Sequence, residues 1–167
     1  MRYTHDENEV KPGMGFVVLK SEGYDGHDFI PQVKAAGAAA IVDGGEELQR
    51  LAHEYRKTLG AKVIGVVGSS GKTTTTEFLK AFLSTVGKTS ATEDNFNNTI
   101  GVPLTILNCP KDADFLVVEV GEHSSQCPCH LAYRDLAALK KTFKIGSCGG
   151  RSRSAQGLKC DGPQRSP

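Results

Sequence analysis

Long apolar runs are absent from these 167 residues, and none approaches the ~20 consecutive apolar positions that a membrane-spanning helix requires. No membrane span is therefore expected. The first residues also lack the basic, apolar and small-residue zones of a secretory leader, so the expected location is cytoplasmic. Paired Cys-x-x-Cys spacing is missing too. Cys127, Cys129, His130, Cys148 and Cys160 are of zinc-ligand type without that spacing, and free thiols are expected in a reducing compartment. Net charge is small at +1 but unevenly spread. Residues 1–122 carry 12 Lys and Arg against 17 Asp and Glu, whereas the remaining 45 carry 8 against 2. A change of sign of that size suggests a boundary. The basic end has no interleaved aromatics, so nucleic acid is not an expected partner.

The length suits one well-buried domain, or a small domain and part of a second, at the usual ~100–200 residues per domain. Strand and helix signals alternate along most of it. Phe16 to Leu19 reads as a buried strand, and a helix follows with Asp28 as its cap, Pro31 in its first turn and Gly37 at its end. Ala38 to Val42 is a second strand. Leu48, Leu51, Ala52, Tyr55 and Leu59 recur at helical spacing over Glu46 to Leu59. Val63 to Val67 is apolar at nearly every position, as a parallel strand covered on both faces should be. Thr73 to Val86 then predicts a helix burying Phe78, Leu79, Phe82, Leu83 and Val86 on one face. After a polar loop, Thr99 to Leu107 is read as helical and Phe115 to Val120 as another buried strand. Leu131 to Phe143 has the periodicity of an amphipathic helix. The pattern predicts an α/β fold: a small N-terminal α/β domain over residues 1–60, a truncated P-loop parallel-sheet domain over 61–121, and a disordered C-terminal tail over 122–167.

The residues that carry chemistry follow the strand Val63 to Val67. In Gly68-Ser69-Ser70-Gly71-Lys72-Thr73-Thr74 the glycines let the backbone curl round an anion, and the helix start adds the positive end of its dipole. Lys72 supplies a mobile charge, and the Thr73 hydroxyl is placed to ligate Mg²⁺. The full phosphate-loop pattern has glycine where Val66 stands, so this is a shortened variant. Strand, loop and helix occur in the required order, which favours ATP binding over a plain Gly/Ser turn. Glu119 ends the next buried strand, where a carboxylate can meet a metal held by the phosphates or bond to backbone or solvent instead.

Three segments together resemble the Mur ligase family: Gly68 to Thr74, Thr92-Glu-Asp-Asn-Phe-Asn-Asn-Thr-Ile-Gly-Val-Pro-Leu-Thr105, and Val117-Val-Glu-Val-Gly121. The asparagine-rich segment is most similar to the branch that adds D-alanyl-D-alanine to a UDP-MurNAc tripeptide. Gly23 to Ile30 and Ala35 to Val42 are similar to the small nucleotide-sugar-binding domain of that family. The resemblance implies an ATP-dependent amide-forming ligase of peptidoglycan precursor synthesis, with UDP-MurNAc-peptide and D-alanyl-D-alanine as substrates. It implies that Lys72 and the loop amides stabilise the transferring phosphoryl group, and that Thr73 and Glu119 hold Mg²⁺. Asn95, Asn97 and Asn98 match a segment lining the substrate cleft, although Asn97 or Asn98 can equally cap the helix near Thr99. His27 is a further substrate candidate, with a surface cap as the alternative.

The sequence departs from the family in three places. No first strand is legible between Met1 and Glu9, and Ser69-Ser70 replaces the usual Thr-Asn. After Gly121 the family continues with a histidine near the metal, a carbamylated lysine and a separate amine-binding domain, none of which is recognisable here. The expectation is a chain that is truncated or leaves its ancestral frame near Glu122, and that by itself is inactive as a ligase.

Overall fold

A computed structural model of the chain describes residues 1–68, 70–93, 96–121 and 142–147, the last as backbone only. It is built round two parallel sheets. The first contains β1 (Tyr3–Thr4), β2 (Gly15–Val18) and β5 (Ala40–Asp43) in the order β1-β2-β5. Between β2 and β5 run the short hairpin β3 (Lys20–Ser21) and β4 (Tyr24–Asp25), a 3₁₀ turn at Gly26–Phe29, and helix α1 (Ile30–Ala35). Helix α2 (Gly44–Thr58) leads to the second sheet. This holds β6 (Lys62–Gly68), β7 (Thr89–Ala91), β8 (Phe115–Glu119) and β9 (Thr142–Ser147) in the order β7-β8-β6-β9, with α3 (Lys72–Leu83) and α4 (Gly101–Leu107) as crossovers. Right-handed crossovers running in opposite directions place α3 and α4 on opposite faces of that sheet.

Alternation along the strands divides the apolar residues between faces. Phe16 and Val18 of β2 pack under α1 with Val33 and Val10, while Val17 turns to the other side. There it joins a larger core that includes Val42, Leu48 and Ala52, then Val63, Val102, Leu104, Leu116 and Val118. The core is thus continuous from the first sheet, through α2 and α4, to the second. Polar bonds reinforce the junction. The Asn108 side chain accepts from Tyr3 N at 2.7 Å and donates to Tyr3 O at 2.9 Å, and the Tyr55 hydroxyl donates to the Cys109 carbonyl at 2.8 Å.

Several expectations change. A first strand does exist: β1 is only two residues long, too short to carry a pattern, and is held by β2 and Asn108. Asp25, rather than Asp28, caps the turn after the hairpin by accepting from His27 N. Strand β7 lies within the stretch read as a polar loop, since its three residues owe their conformation to pairing with β8. Phe78, Phe82 and Val86 are 71%, 60% and 66% exposed, so the apolar face expected to be buried is largely open. Helix α3 instead turns Thr76 towards the sheet. Thr142 and Phe143, expected to end a helix, open β9, and Gly146 and Ser147, expected in the disordered tail, close it in parallel register with β6. The remainder of the expected helix and tail lies outside the described residues.

Leu48 of α2 is fully buried in the core that joins the first sheet to α4 and the second sheet. Leu48→Ala is expected to cost about 2–5 kcal/mol in urea unfolding. A shared core predicts one transition for both sheets, and two separated transitions would contradict it.

Candidate functional site

Strand β6 lies between β8 and β9, and its pairing with β8 sets Val66 directly beside Glu119. Parallel neighbours are about 4.8 Å apart, so the end of β8 lies against the strand that enters the loop. Alternation puts Leu116 and Val118 in the core shared with α4 and directs Val117 and Glu119 to the face that carries α3. Register and alternation alone therefore bring Glu119 to the loop.

The loop itself turns on glycine. Gly71 has φ 73° and ψ 9°, a left-handed conformation that costs glycine little. It also occupies the capping position of α3, and having no side chain it leaves the first amides of the helix available to an external anion. The Lys72 ammonium is half-buried and donates to the Gly68 carbonyl at 2.7 Å, which holds the charge across the loop. Gly68 ends β6, and Ser70, Thr73 and Thr74 are exposed round the turn. Ser69 lies outside the described residues. Thr76 was not among the sequence candidates. It is 1% exposed, and its hydroxyl has no hydrogen-bond partner among the described residues.

Glu119 is the unusual residue of the site. Its side chain is 1% exposed, Oε1 accepts from Asn97 Nδ2 at 2.9 Å, and Oε2 is buried with no hydrogen-bond partner among the described residues. A buried acceptor left unmatched costs about 1–3 kcal/mol, and more when charged. A bound cation would offset that cost, so the orphaned oxygen fits the metal role that its position suggests. The Glu119 amide donates to Thr92 Oγ1 at 2.9 Å, a contact 27 residues apart with no local signal in the sequence.

The asparagines separate by role. Asn98 Oδ1 accepts from Ile100 N at 3.0 Å and Gly101 N at 2.8 Å, which makes it the cap at the start of α4. Asn97 instead reaches Glu119. Asn95 lies outside the described residues. His27 stands apart at the carboxyl end of the first sheet, where Nδ1 meets Asp25 and Nε2 lies 3.2 Å from Asp43 Oδ1. Its hydrogen bonds to Asp25 and then Asp43 raise its pKa above the ordinary 6.5, and Lys20 and His27 hold the Asp25 carboxyl well below the usual range.

Residues 66–134 match the model of the Mur ligase middle domain. The chain is 38% identical over 134 residues to the UDP-N-acetylmuramoyl-tripeptide--D-alanyl-D-alanine ligase of Bacillus subtilis, covering 70% of this chain and 29% of that protein. The Escherichia coli ligase of the same name is 38% identical over 133 residues, covering 71% and 29%. Among solved structures, MurF from Acinetobacter baumannii is similar at 33% identity and TM-score 0.66, covering 74% of this chain and 31% of that one. MurF from Thermotoga maritima, solved in complex with ADP, is similar at 36% identity and TM-score 0.61, covering 71% and 31%. The chain therefore spans less than a third of the length of these relatives.

The His27 bridge generates a pH dependence. A pKa raised by folding contributes stability that is complete below about 6.5, the unfolded value, and is lost as pH rises through the folded pKa. The melting temperature of His27→Ala should fall below that of the unaltered chain at pH 5.5, and the gap should close towards pH 9. A gap independent of pH would show that the imidazolium contributes nothing.

Proposed function

Since the chain belongs to the Mur ligase family, we propose that it forms the ATP-binding part of a cytoplasmic ligase that joins D-alanyl-D-alanine to UDP-MurNAc-tripeptide. The observation that carries this reading is the juxtaposition of a phosphate loop with a buried carboxylate whose Oε2 has no hydrogen-bond partner among the described residues. In the proposed reaction a carboxylate of the UDP-linked peptide attacks the γ-phosphorus of ATP, and the bond to the β–γ bridging oxygen breaks to release ADP. The D-alanyl-D-alanine amine then adds to the acyl phosphate carbonyl, and inorganic phosphate leaves as the amide forms. Gly68, Ser69, Ser70, Gly71, Thr73 and Thr74 cradle the phosphates through backbone amides, and Lys72 moves from the Gly68 carbonyl to the outer phosphates. Thr73 and Glu119 would hold Mg²⁺, which neutralises phosphate charge. Asn95 and His27 belong to the proposed substrate surface. The 167 residues by themselves are proposed to bind nucleotide without completing amide formation, because they span only 29% of the ligases they resemble.

Titration calorimetry with ATP and Mg²⁺ tests the site. Lys72→Ala is expected to weaken ATP binding about tenfold or more, in keeping with the loss of a charge-assisted hydrogen bond. Equal affinity in the two proteins would remove the loop from the nucleotide site. ADP release that depends on both UDP-MurNAc-tripeptide and D-alanyl-D-alanine is expected to be absent from this chain alone, and turnover would overturn the proposal that it is incomplete.

A further inference from the structure

We infer that Asn97 is a positioning residue: its side-chain amide fixes one oxygen of Glu119 so that the other alone is presented to a divalent cation. The inference rests on the nucleotide-binding reading above and adds to it a role for Asn97 other than direct substrate contact.

Asn97 Nδ2 donates to Glu119 Oε1 at 2.9 Å while Oε2 has no partner among the described residues, so the carboxylate is anchored asymmetrically. An ionised carboxylate only accepts hydrogen bonds, so the amide nitrogen is the end of Asn97 that faces it. The Asn97 backbone is fixed as well, since its carbonyl accepts from Gly121 N at 2.7 Å, two residues beyond Glu119. One residue thus grips the end of β8 at both side chain and main chain.

The approach that allows this grip depends on two glycines. A Cβ at Gly121 would lie 2.9 Å from the Asn97 carbonyl oxygen, and one at Gly101 would lie 2.4 Å from the Phe96 backbone. Either would push residues 96–98 away from the strand. Thr92 then holds the Glu119 amide from the other side, and Asn98 supplies the α4 cap, which leaves the Asn97 amide free for the carboxylate. The arrangement restricts the rotation of Glu119 before any cation arrives, which lowers the entropy that binding must remove.

The test uses the whole 167-residue chain and ADP as probe, titrated with and without Mg²⁺. The quantity read is the ratio of the two affinities. Replacing a group that orients a metal ligand typically costs about 10–100-fold in metal affinity, so Asn97→Leu should lower the ratio by about tenfold or more. A loss of equal size in both conditions, leaving the ratio intact, would overturn the inference and return Asn97 to direct contact or simple packing. A second measurement needs neither nucleotide nor metal. Asn97→Leu leaves the Glu119 carboxylate buried without its donor, whereas the double variant N97L/E119M replaces both partners with apolar groups. The double variant should unfold in urea at a higher midpoint than N97L, and should fold even if N97L does not. Additive losses would show that Asn97 does not hold Glu119. Failure of the unaltered chain to bind ADP would instead remove the nucleotide reading, and the unfolding comparison would still decide the Asn97–Glu119 pair.

Discussion

The parallel pairing of β6 with β8 is the constraint on which the site depends, because register leaves little freedom to what lies beyond the strand ends. Val63 against Leu116 and Val66 against Glu119 belong to one ladder, buried along most of its length. A slip of one residue would turn every side chain of β8 over. Leu116 and Val118 would leave the shared core, and Glu119 would enter it far from the phosphate loop. The apolar burial that stabilises the sheet is therefore the same force that aims the carboxylate.

The second constraint is the core that joins the two sheets. Residues 1–60 were expected to form a small domain, and Val17, Val42 and Leu48 share a cluster with Val63, Val102 and Leu116. Helix α2 contributes to this by burying Leu48 and Ala52, with Arg56 buried against the Leu59 and Ala61 carbonyls, while Glu46, Arg50, Glu54 and Lys57 face solvent. The Tyr3–Asn108 pair and the Tyr55–Cys109 bond supply direction to what apolar contact leaves unspecified. Helix α3 shows the converse. Its Phe78 and Phe82, with Val86 beyond its end, have no cover among the described residues, although their spacing resembles that of a core-facing helix.

Elements with a strong local signal were legible from the sequence. Strand β6, the glycine loop, α2 and the ending of β8 at Glu119 all follow from apolar runs, glycine positions and helical period. Strands β1 and β7 were not legible, because two or three residues cannot display a period and their partners are remote in sequence. The cap at Asp25 was displaced from Asp28 by a hairpin whose strands are two residues each.

At the site the division is sharper. The residue types at Lys72, Thr73, Asn97, Asn98 and Glu119 and the order of strand, loop and helix carried the likeness to the Mur ligase family and the proposal of a phosphate site. Those are properties of short windows, and backbone curl and helix dipole act within them. Only the tertiary structure decided which asparagine caps α4, which one grips Glu119, and which carboxylate oxygen stays open. The cap is a local bond, but the hold on Glu119 rests on hydrogen bonds between residues 22 and 27 positions apart, which become contacts only when β8 has found its register on β6.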